Sequence, residues 1–444
     1  MNPRATLPIY ALPAVPLAFL GLPLYVYLPA HYAELPGIGL AAVGAVLLFA
    51  RLLDLLTDPL VGLLADRSRH ALRPQWLMSL GGILLVSGAW WLFRPDEQAG
   101  PLYLFATLGL TYLGWTLLAI PYYALGAEIG LAKGQTRSAA WREGGMIVGT
   151  LTALLVPALL SGSNALAASA QALLWLAPAA IAASWLLPPV PIQRHGMAPN
   201  GLLQMWRDTS RPARQVLVIH LLNALAGGTA ATLFVIYARD VLGLTEAATG
   251  LLLLLYFSAG LLALPLWVRR ARQVGQAGAW RDAMLLAALG FAPAAFLGNG
   301  DVIAFGLVCL VTGATLGADI AMPAALQARL VVSESRSLQR PRGGALFGLW
   351  GMASKLALAL AAGIALPLLA LLSGPASGLD RATVTPWLYA GLPVLIKMLA
   401  ILALQATILR DPNFASETRE TGEIENEPAP LAYPDRAAGT ARRL

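Results

Sequence analysis

Residues 38–65 read IGLAAVGAVLLFARLLDLLTDPLVGLLA, an apolar run with three charged side chains inside it. These are Arg51, Asp54 and Asp58, and Pro59 follows the last of them. A helix of about 20 predominantly apolar residues crosses a bilayer. The run is therefore long enough to span a membrane, and its charged residues need a partner or a function there.

Apolar runs of this kind continue through most of the 444 residues. Hydrophobic residues make up 58% and charged residues 12% of the chain, and the mean hydropathy is +0.67. Soluble domains carry about 25% charged residues, so a soluble protein is excluded. We expect an all-α membrane protein with about twelve transmembrane helices in two six-helix bundles. The predicted spans are 7–32, 38–65, 75–93, 101–127, 141–161, 165–188, 215–237, 246–268, 281–299, 302–328, 344–373 and 385–409.

Positive charges are concentrated in alternate connections between these spans. The basic connections include Arg67, Arg69, Arg73, Lys133, Arg137, Arg207, Arg211, Arg269, Arg272, Arg336 and Arg340. The other set holds only Arg94, Arg239 and Arg381. Because basic loops stay in the cytoplasm, this bias places both termini there. It also accounts for the formal net charge of +7 without a nucleic-acid partner.

The chain divides at one long connection rich in proline and charge, residues 189–214. We expect this connection to be a cytoplasmic linker between an N-terminal bundle, residues 1–188, and a C-terminal bundle, residues 215–410. Residues 411–444 are acidic, contain prolines and have few apolar side chains, which predicts a disordered cytoplasmic tail. Two six-helix halves are the layout of carriers that rock around a site near the bilayer midplane.

Two aspartates inside the second span suggest a cation site. Asp54 and Asp58 stand four residues apart and so lie on one helical face. A hard cation such as sodium prefers several oxygen ligands, which the two carboxylates and the Thr57 hydroxyl supply. Alternatively, the pair shares a proton. A structural interpretation is also open, in which nearby bases such as Arg51 neutralise the pair and lock helices together.

Further charges lie within or at the edge of the spans. Lys355 is about a dozen residues into the eleventh span and is expected to face a cavity. Asp319, in the tenth span, either pairs with Lys355 or contacts substrate, and a purely structural pair is an equal alternative. Glu128, Arg142 and Glu143 flank the connection between the fourth and fifth spans and are interpreted as a cytoplasmic ion-pair network.

The end of the second span has the composition of a gate. Gly62, Asp66, Arg67 and Arg69 place an acid at a helix terminus beside basic residues. Charge pairs of this kind can hold a cytoplasmic gate closed and change partners as the halves move, and Glu128 is a candidate partner. The alternative is simple anchoring of the arginines at the lipid headgroups.

Three stretches resemble the glycoside–pentoside–hexuronide:cation symporter family of the major facilitator superfamily. They are RLLDLLTDPLVG at 51–62, IPYYALGAE at 120–128 and FGLWGMASKL at 347–356. The segment from Gly62 to Arg69 is similar to a shortened form of the superfamily's loop signature. The resemblance covers about residues 8–410 and implies the major facilitator fold with cation-coupled uptake.

The same resemblance assigns residues to roles. Asp54, Asp58 and Thr116 fall at the family's cation-binding positions, so the two aspartates would hold sodium if sodium is the coupling ion. Arg142 and Lys355 fall at positively charged cavity positions. Tyr122, within the second stretch, is expected to line the substrate cavity together with Asp319.

The leading hypothesis is cation-coupled symport of a small polar solute, a sugar or related metabolite, by alternating access. Ala18 and Ala119 occupy positions where the family has sugar-binding aspartates, and alanine offers no acceptor to a sugar hydroxyl. An alternative cargo is therefore a lysophospholipid or other amphiphile, which related vertebrate carriers move.

Catalysis is not indicated by the sequence, because no nucleophile–base pair, metal-ligand cluster or phosphate-binding glycine loop can be found. The single cysteine, Cys309, excludes an intrachain disulfide. We expect no cofactor beyond the coupling ion, sodium or a proton. The expected partners are the substrate and the lipid bilayer, and the protein is predicted to be a monomer in a bacterial inner membrane.

Overall fold

The computed structural model describes residues 5–411, apart from 22, 25–27, 34, 36–37, 39, 70, 97, 160–164, 188–200 and 374–379. This described part is helical and contains no β-strand. The helices are α1 (Thr6–Ala11), α2 (Ala14–Phe19), α3 (Leu28–Ala33), α4 (Leu40–Ser68), α5 (Pro74–Leu92), α6 (Pro101–Lys133), α7 (Gln135–Leu159), α8 (Ala165–Ser184), α9 (Leu202–Arg207), α10 (Arg211–Asp240), α11 (Glu246–Phe291), α12 (Val302–Ser337), α13 (Gly343–Leu372), α14 (Arg381–Pro386) and α15 (Leu392–Ala406).

The predicted spans correspond to these helices with two differences. The first span is divided into α1, α2 and α3, with Pro13 directly before α2, because proline lacks an amide hydrogen and interrupts a helix. The eighth span and the first part of the ninth both lie in α11, and a 3-10 helix, Ala292–Phe296, follows. The two spans are separated at Gly275, whose φ of 77° and ψ of 166° are not helical, and glycine adopts such a positive φ without steric cost.

Eight helical segments of the described residues are long and apolar enough to cross a membrane. One of them, Ala247–Phe296, contains two predicted spans. The predicted linker is partly helical, because it contains α9, and α10 begins at Arg211. Residues 189–200 of the linker and residues 412–444 of the predicted tail lie outside the described part of the chain.

The hydrophobic core is arranged differently at the two ends of the bundle. We define the basic end as the end that carries Arg69, Lys133, Arg211 and Arg336. One buried cluster towards this end combines α4, α6 and α7 residues with residues of α10 to α13. A second cluster contains residues of the first half alone and a third contains residues of the second half alone. The halves are therefore packed together at the basic end, whereas the opposite end has a separate core in each half.

Helices α4 and α13 cross from opposite halves at very short range. A Cβ atom added to Gly62 would lie 2.3 Å from the Gly344 carbonyl oxygen, and one added to Gly348 would lie 2.7 Å from the Asp58 carbonyl oxygen. Small residues allow such close backbone approach between membrane helices. This crossing places the middle of α13 directly beside the two aspartates of α4.

Candidate functional site

The centre of the site is the aspartate pair on α4. Asp54 and Asp58 are one helical turn apart on the same face, and this face is turned towards the protein interior. Asp58 is 0% exposed and Asp54 is 8% exposed. Because an uncompensated buried carboxylate is costly, both groups require a positive charge or hydrogen-bond donors nearby.

Lys355 of α13 supplies that positive charge from the other half of the protein. Its Nζ atom lies 2.7 Å from Asp54 Oδ1 and 2.7 Å from Asp58 Oδ1. The same ammonium is 5.1 Å from the centre of the Trp115 ring, within the range of a cation–π contact. One lysine thus bridges both carboxylates and connects the two halves.

Thr116 of α6 completes the cluster. Its hydroxyl donates to Asp58 Oδ1 at 2.8 Å and lies 3.4 Å from both Asp54 Oδ1 and Lys355 Nζ. The four residues, which we call the carboxylate cluster, come from three helices. With both carboxylates ionised and one ammonium present, the cluster retains one negative charge. It therefore has the capacity to take up one further proton or monovalent cation.

Gly351 forms the wall behind the second carboxylate. A Cβ atom at this position would lie 2.4 Å from Asp58 Oδ2, and this oxygen is buried without a hydrogen-bond partner among the described residues. Sequence reasoning did not identify Gly351 or Trp115 as parts of the site. The spacing of Gly344, Gly348 and Gly351 along one helix was the available signal for close packing.

Thr57 does not join the cluster, contrary to the prediction. Its hydroxyl donates to the Asp54 carbonyl oxygen at 2.9 Å, a bond within its own helix. Helical threonines commonly satisfy their hydroxyl in this way, so the side chain is not presented to the carboxylates.

Of the alternatives given for Asp319, the pair with Lys355 is not formed. Asp319 forms an ion pair with Lys397 of α15, and the same lysine donates to Asn223 Oδ1 at 2.9 Å. These residues connect α12, α15 and α10, all in the second half. The charge partner of Asp319 was not predictable because it depends on which helices are neighbours.

Two other predicted cavity residues, Arg142 and Tyr122, are buried, and Arg142 also lies 6.0 Å from the centre of the Phe347 ring of the second half. Arg142 is paired with Glu143 at 2.7 Å, and its guanidinium carbon is 4.6 Å from the centre of the Tyr123 ring. The Tyr122 hydroxyl donates to the Tyr10 carbonyl oxygen at 2.7 Å, and Tyr122 is fully buried. In this conformation neither side chain has the open face that contact with a solute requires.

The predicted gate residues lie where the halves meet at the basic end. Asp66 accepts hydrogen bonds from the amides of Gly344 at 2.7 Å and Ala345 at 2.8 Å, so it caps the first turn of α13 from the opposite half. Arg69 is paired with Glu128, whereas Arg67 is exposed. The predicted network therefore separates into two pairs, Arg69 with Glu128 and Arg142 with Glu143.

A further contact between the halves at this end was not predicted. Gln276, next to the break in α11, donates through Nε2 to Thr136 Oγ1 of α7 at 3.0 Å. Together with the Asp66 cap and the Gly62 crossing, this contact closes the basic end.

Comparisons with known proteins were made for the sequence and the fold. The profile of the MFS/sugar transport protein family matches residues 9–411. The chain is 34% identical over 152 residues to the inner membrane symporter YicJ of Escherichia coli, which covers 31% of this chain and 32% of that protein. It is 32% identical over 115 residues to the uncharacterized symporter sll1374 of Synechocystis, covering 23% and 21% of the two chains. These alignments span about a third or less of the relatives' length.

Two solved structures are similar to the whole fold. One is a bacterial homologue of the iron transporter ferroportin in an outward-facing state, with a TM-score of 0.68 and 15% identity over 91% of this chain and 99% of that chain. The other is the E. coli fucose:proton symporter, with a TM-score of 0.62 and 13% identity over 91% and 98%. These similarities concern the fold, and they confirm the predicted fold class.

Proposed function

The chain belongs to the MFS/sugar transport protein family of membrane transporters, and from this premise we propose that it moves a small polar solute together with a cation. The family assignment confirms the resemblance predicted from residues 51–62, 120–128 and 347–356. Sugars and related metabolites are the proposed cargo, and sodium or a proton is the proposed coupling ion.

The observation that carries this proposal is the position of Lys355 between Asp54 and Asp58. The ammonium occupies the place that an external cation needs, and it comes from the opposite half of the protein. A cation or proton that binds the carboxylates competes with Lys355 and weakens this bridge. Ion binding is thereby linked to separation of the halves, which is the requirement for coupling.

The closed basic end gives the direction of access. Basic loops face the cytoplasm under the positive-inside rule, so we infer that this conformation is closed to the cytoplasm. Its solute site opens to the opposite side. We further propose that both termini are cytoplasmic and that the protein resides in an inner membrane, which is the location in the name of the E. coli inner membrane symporter YicJ.

The energy available to such a symporter is sufficient for uptake. Moving one elementary charge through 100 mV releases about 2.3 kcal/mol. Since 1.4 kcal/mol corresponds to a tenfold ratio, one coupled charge concentrates a neutral solute about 45-fold.

The test is uptake by purified protein in liposomes of neutral lipid. Radiolabelled hexoses, pentoses, glycosides and hexuronates are offered with an inward sodium gradient, an inward proton gradient or neither, each with a negative interior potential. We expect one solute class to accumulate with one of the two gradients. Fluorescent lysophosphatidylcholine is included, and its transport in place of any sugar would support the amphiphile alternative.

The variants Asp54→Asn and Asp58→Asn keep the shape of the side chains and remove the charges. We expect both to lose gradient-driven accumulation while exchange at equal concentrations persists, because exchange requires no net ion movement. Asp240→Asn, at the opposite end of the bundle, is the matched control and is expected to accumulate solute normally. Normal accumulation in both cluster variants would refute the coupling role.

A further inference from the structure

A cavity of about 470 Å³ lies between the two halves at the basic end. Residues of α4, α5 and α6 form one wall, and residues of α12, of α13 and of the connection between them form the other. None of the four residues of the carboxylate cluster lines it. The cavity is therefore a separate feature, on the side of the gate away from the proposed coupling site.

Four arginines line this cavity: Arg69, Arg336, Arg340 and Arg342. Two acidic residues, Asp66 and Glu128, share the lining. The Asp66 carboxylate is already occupied on both oxygens by the amides of α13. Asp66 therefore interacts with Arg69 and Arg342 through its charge, and no hydrogen bond from an arginine to it is formed among the described residues.

Three of the arginines are only partly satisfied. Arg69 pairs with Glu128 and Arg340 with Asp208. Arg342 donates through Nε and Nη2 to Glu334 Oε2 at 3.2 Å. Its Nη2 also donates to Thr209 Oγ1 at 3.1 Å and to the Met205 carbonyl oxygen at 3.3 Å.

Each of these guanidiniums also has one buried nitrogen without a hydrogen-bond partner among the described residues, namely Arg69 Nη1, Arg340 Nε and Arg342 Nη1. Arg69 is 7% exposed and Arg342 is 0% exposed. Buried charged donors of this kind require an acceptor, since leaving them unpaired is costly.

The chemistry of the lining indicates which class of ligand can accept these hydrogen bonds. The planar guanidinium matches phosphate oxygens, which accept several charge-assisted hydrogen bonds at once. The cavity has the volume of a site for a small molecule, not of a site for a single ion. Glu128 Oε2 is also buried without a partner in the described residues, so it can accept a bond from a hydroxyl on the same ligand.

We propose that this cavity binds a phosphate group that carries a small hydroxylated moiety and that such a ligand holds the basic end closed. The chemistry is common to a soluble phosphate monoester and to the headgroup of an anionic phospholipid. Because both halves contribute walls, the cavity exists as built only while the basic end is closed. A ligand that binds one conformation better than the other shifts the population towards it, so occupancy slows opening of the gate.

Thermal unfolding of the full chain in nanodiscs tests the proposal. In the first arm the lipid is phosphatidylcholine, and inorganic phosphate or glycerol 3-phosphate is titrated against potassium chloride of equal ionic strength. In the second arm no phosphate is added and one fifth of the lipid is phosphatidylglycerol. All salts are potassium salts, since sodium is a candidate coupling ion.

We expect a saturable rise of the unfolding midpoint in at least one arm, because a ligand of the folded state stabilises it by mass action. A rise in the first arm identifies a soluble phosphate as the source, and a rise in the second alone identifies a lipid headgroup. Absence of a rise in both arms, or an equal rise with chloride, overturns the proposal.

Two variants connect the effect to the cavity. Arg336→Gln changes an exposed lining residue and is expected to fold while weakening the apparent affinity about tenfold, as expected for one lost charge-assisted bond. Arg73→Gln removes an exposed charge at the same end but outside the cavity lining, and it should keep the wild-type affinity. Equal weakening by both variants would show a general charge effect and contradict the assignment.

Discussion

Replacing Lys355 with methionine removes the one positive charge held between the two carboxylates of α4. At an effective dielectric constant of about 20, each 2.7 Å contact represents a gross Coulomb energy of about 6 kcal/mol. Desolvation offsets most of this energy, and loss of one partner from a buried pair typically costs about 3–5 kcal/mol. The uncompensated carboxylates will therefore bind an external cation or proton much more strongly than in the wild type.

The expected gain in ion affinity follows from the same numbers. In the wild type an external ion must displace Lys355, at a net cost of about 3 kcal/mol or more. In Lys355→Met this cost is absent. At 1.4 kcal/mol per factor of ten, the apparent affinity rises about a hundredfold or more. We expect this variant to lose solute accumulation, because ion binding can no longer break an ion pair that joins the two halves.

The assay is the thermal unfolding midpoint of purified protein as a function of sodium concentration at fixed pH, and of pH without sodium. Lys355→Met should respond to sodium at concentrations about a hundredfold lower than wild type, or shift its pH response upward if the coupling ion is a proton. Lys133→Met is the control, since it removes a lysine at the end of α6, outside the carboxylate cluster. If Lys355→Met responds to both ions as wild type does, the competition between lysine and cation is refuted.

Three further changes test the site and its supports. Gly351→Ala places a Cβ atom 2.4 Å from Asp58 Oδ2, so the Asp58 carboxylate must leave its position beside Lys355 or α4 and α13 must separate. We expect protein of near-normal expression with impaired gradient-driven uptake in the liposome assay, whereas normal uptake would contradict the close fit. Asp66→Asn weakens a two-amide cap of α13 by about 1 kcal/mol. The basic end should then be cleaved faster by protease in inside-out vesicles, which expose the proposed cytoplasmic face, and an unchanged rate would argue against a gate role. Lys397→Met leaves Asp319 unpaired and is expected to lower the free energy of unfolding by about 3–5 kcal/mol, measured by denaturant titration. A loss below 1 kcal/mol would indicate that the pair is not structurally important.

Several properties of the site followed from spacing along one helix. Asp54 and Asp58 are four residues apart, so their common face was predictable without knowledge of any other helix. The same holds for the order of Gly62, Asp66 and Arg69 at the end of α4. The Thr116 position came from the family resemblance, and the structure brings its hydroxyl to 2.8 Å from Asp58 Oδ1.

Charge partners between helices were predicted less well. Lys355 and Asp319 are both buried charges in the second half, so pairing them was reasonable from the sequence. In the fold α13 crosses α4 from the other half, whereas the Lys397 side chain of α15 reaches Asp319 of α12, which gives each charge a different partner. Arg142 and Tyr122 were similarly assigned to a cavity because the sequence does not indicate which face of α6 or α7 is covered.

Apolar length, the distribution of arginines and the period of the helix are local properties, and they were enough to predict a membrane transporter of about twelve spans with an acidic pair in its second span. The lysine that neutralises this pair is 301 residues from Asp54 in the chain. Its role depends on how two helices from different halves cross, and Gly62, Gly344 and Gly348 permit that crossing by removing side chains between the backbones. Only the tertiary structure showed that a lysine of the protein itself, Lys355, occupies the cation position between the two aspartates, because contact across the halves depends on packing and not on sequence spacing.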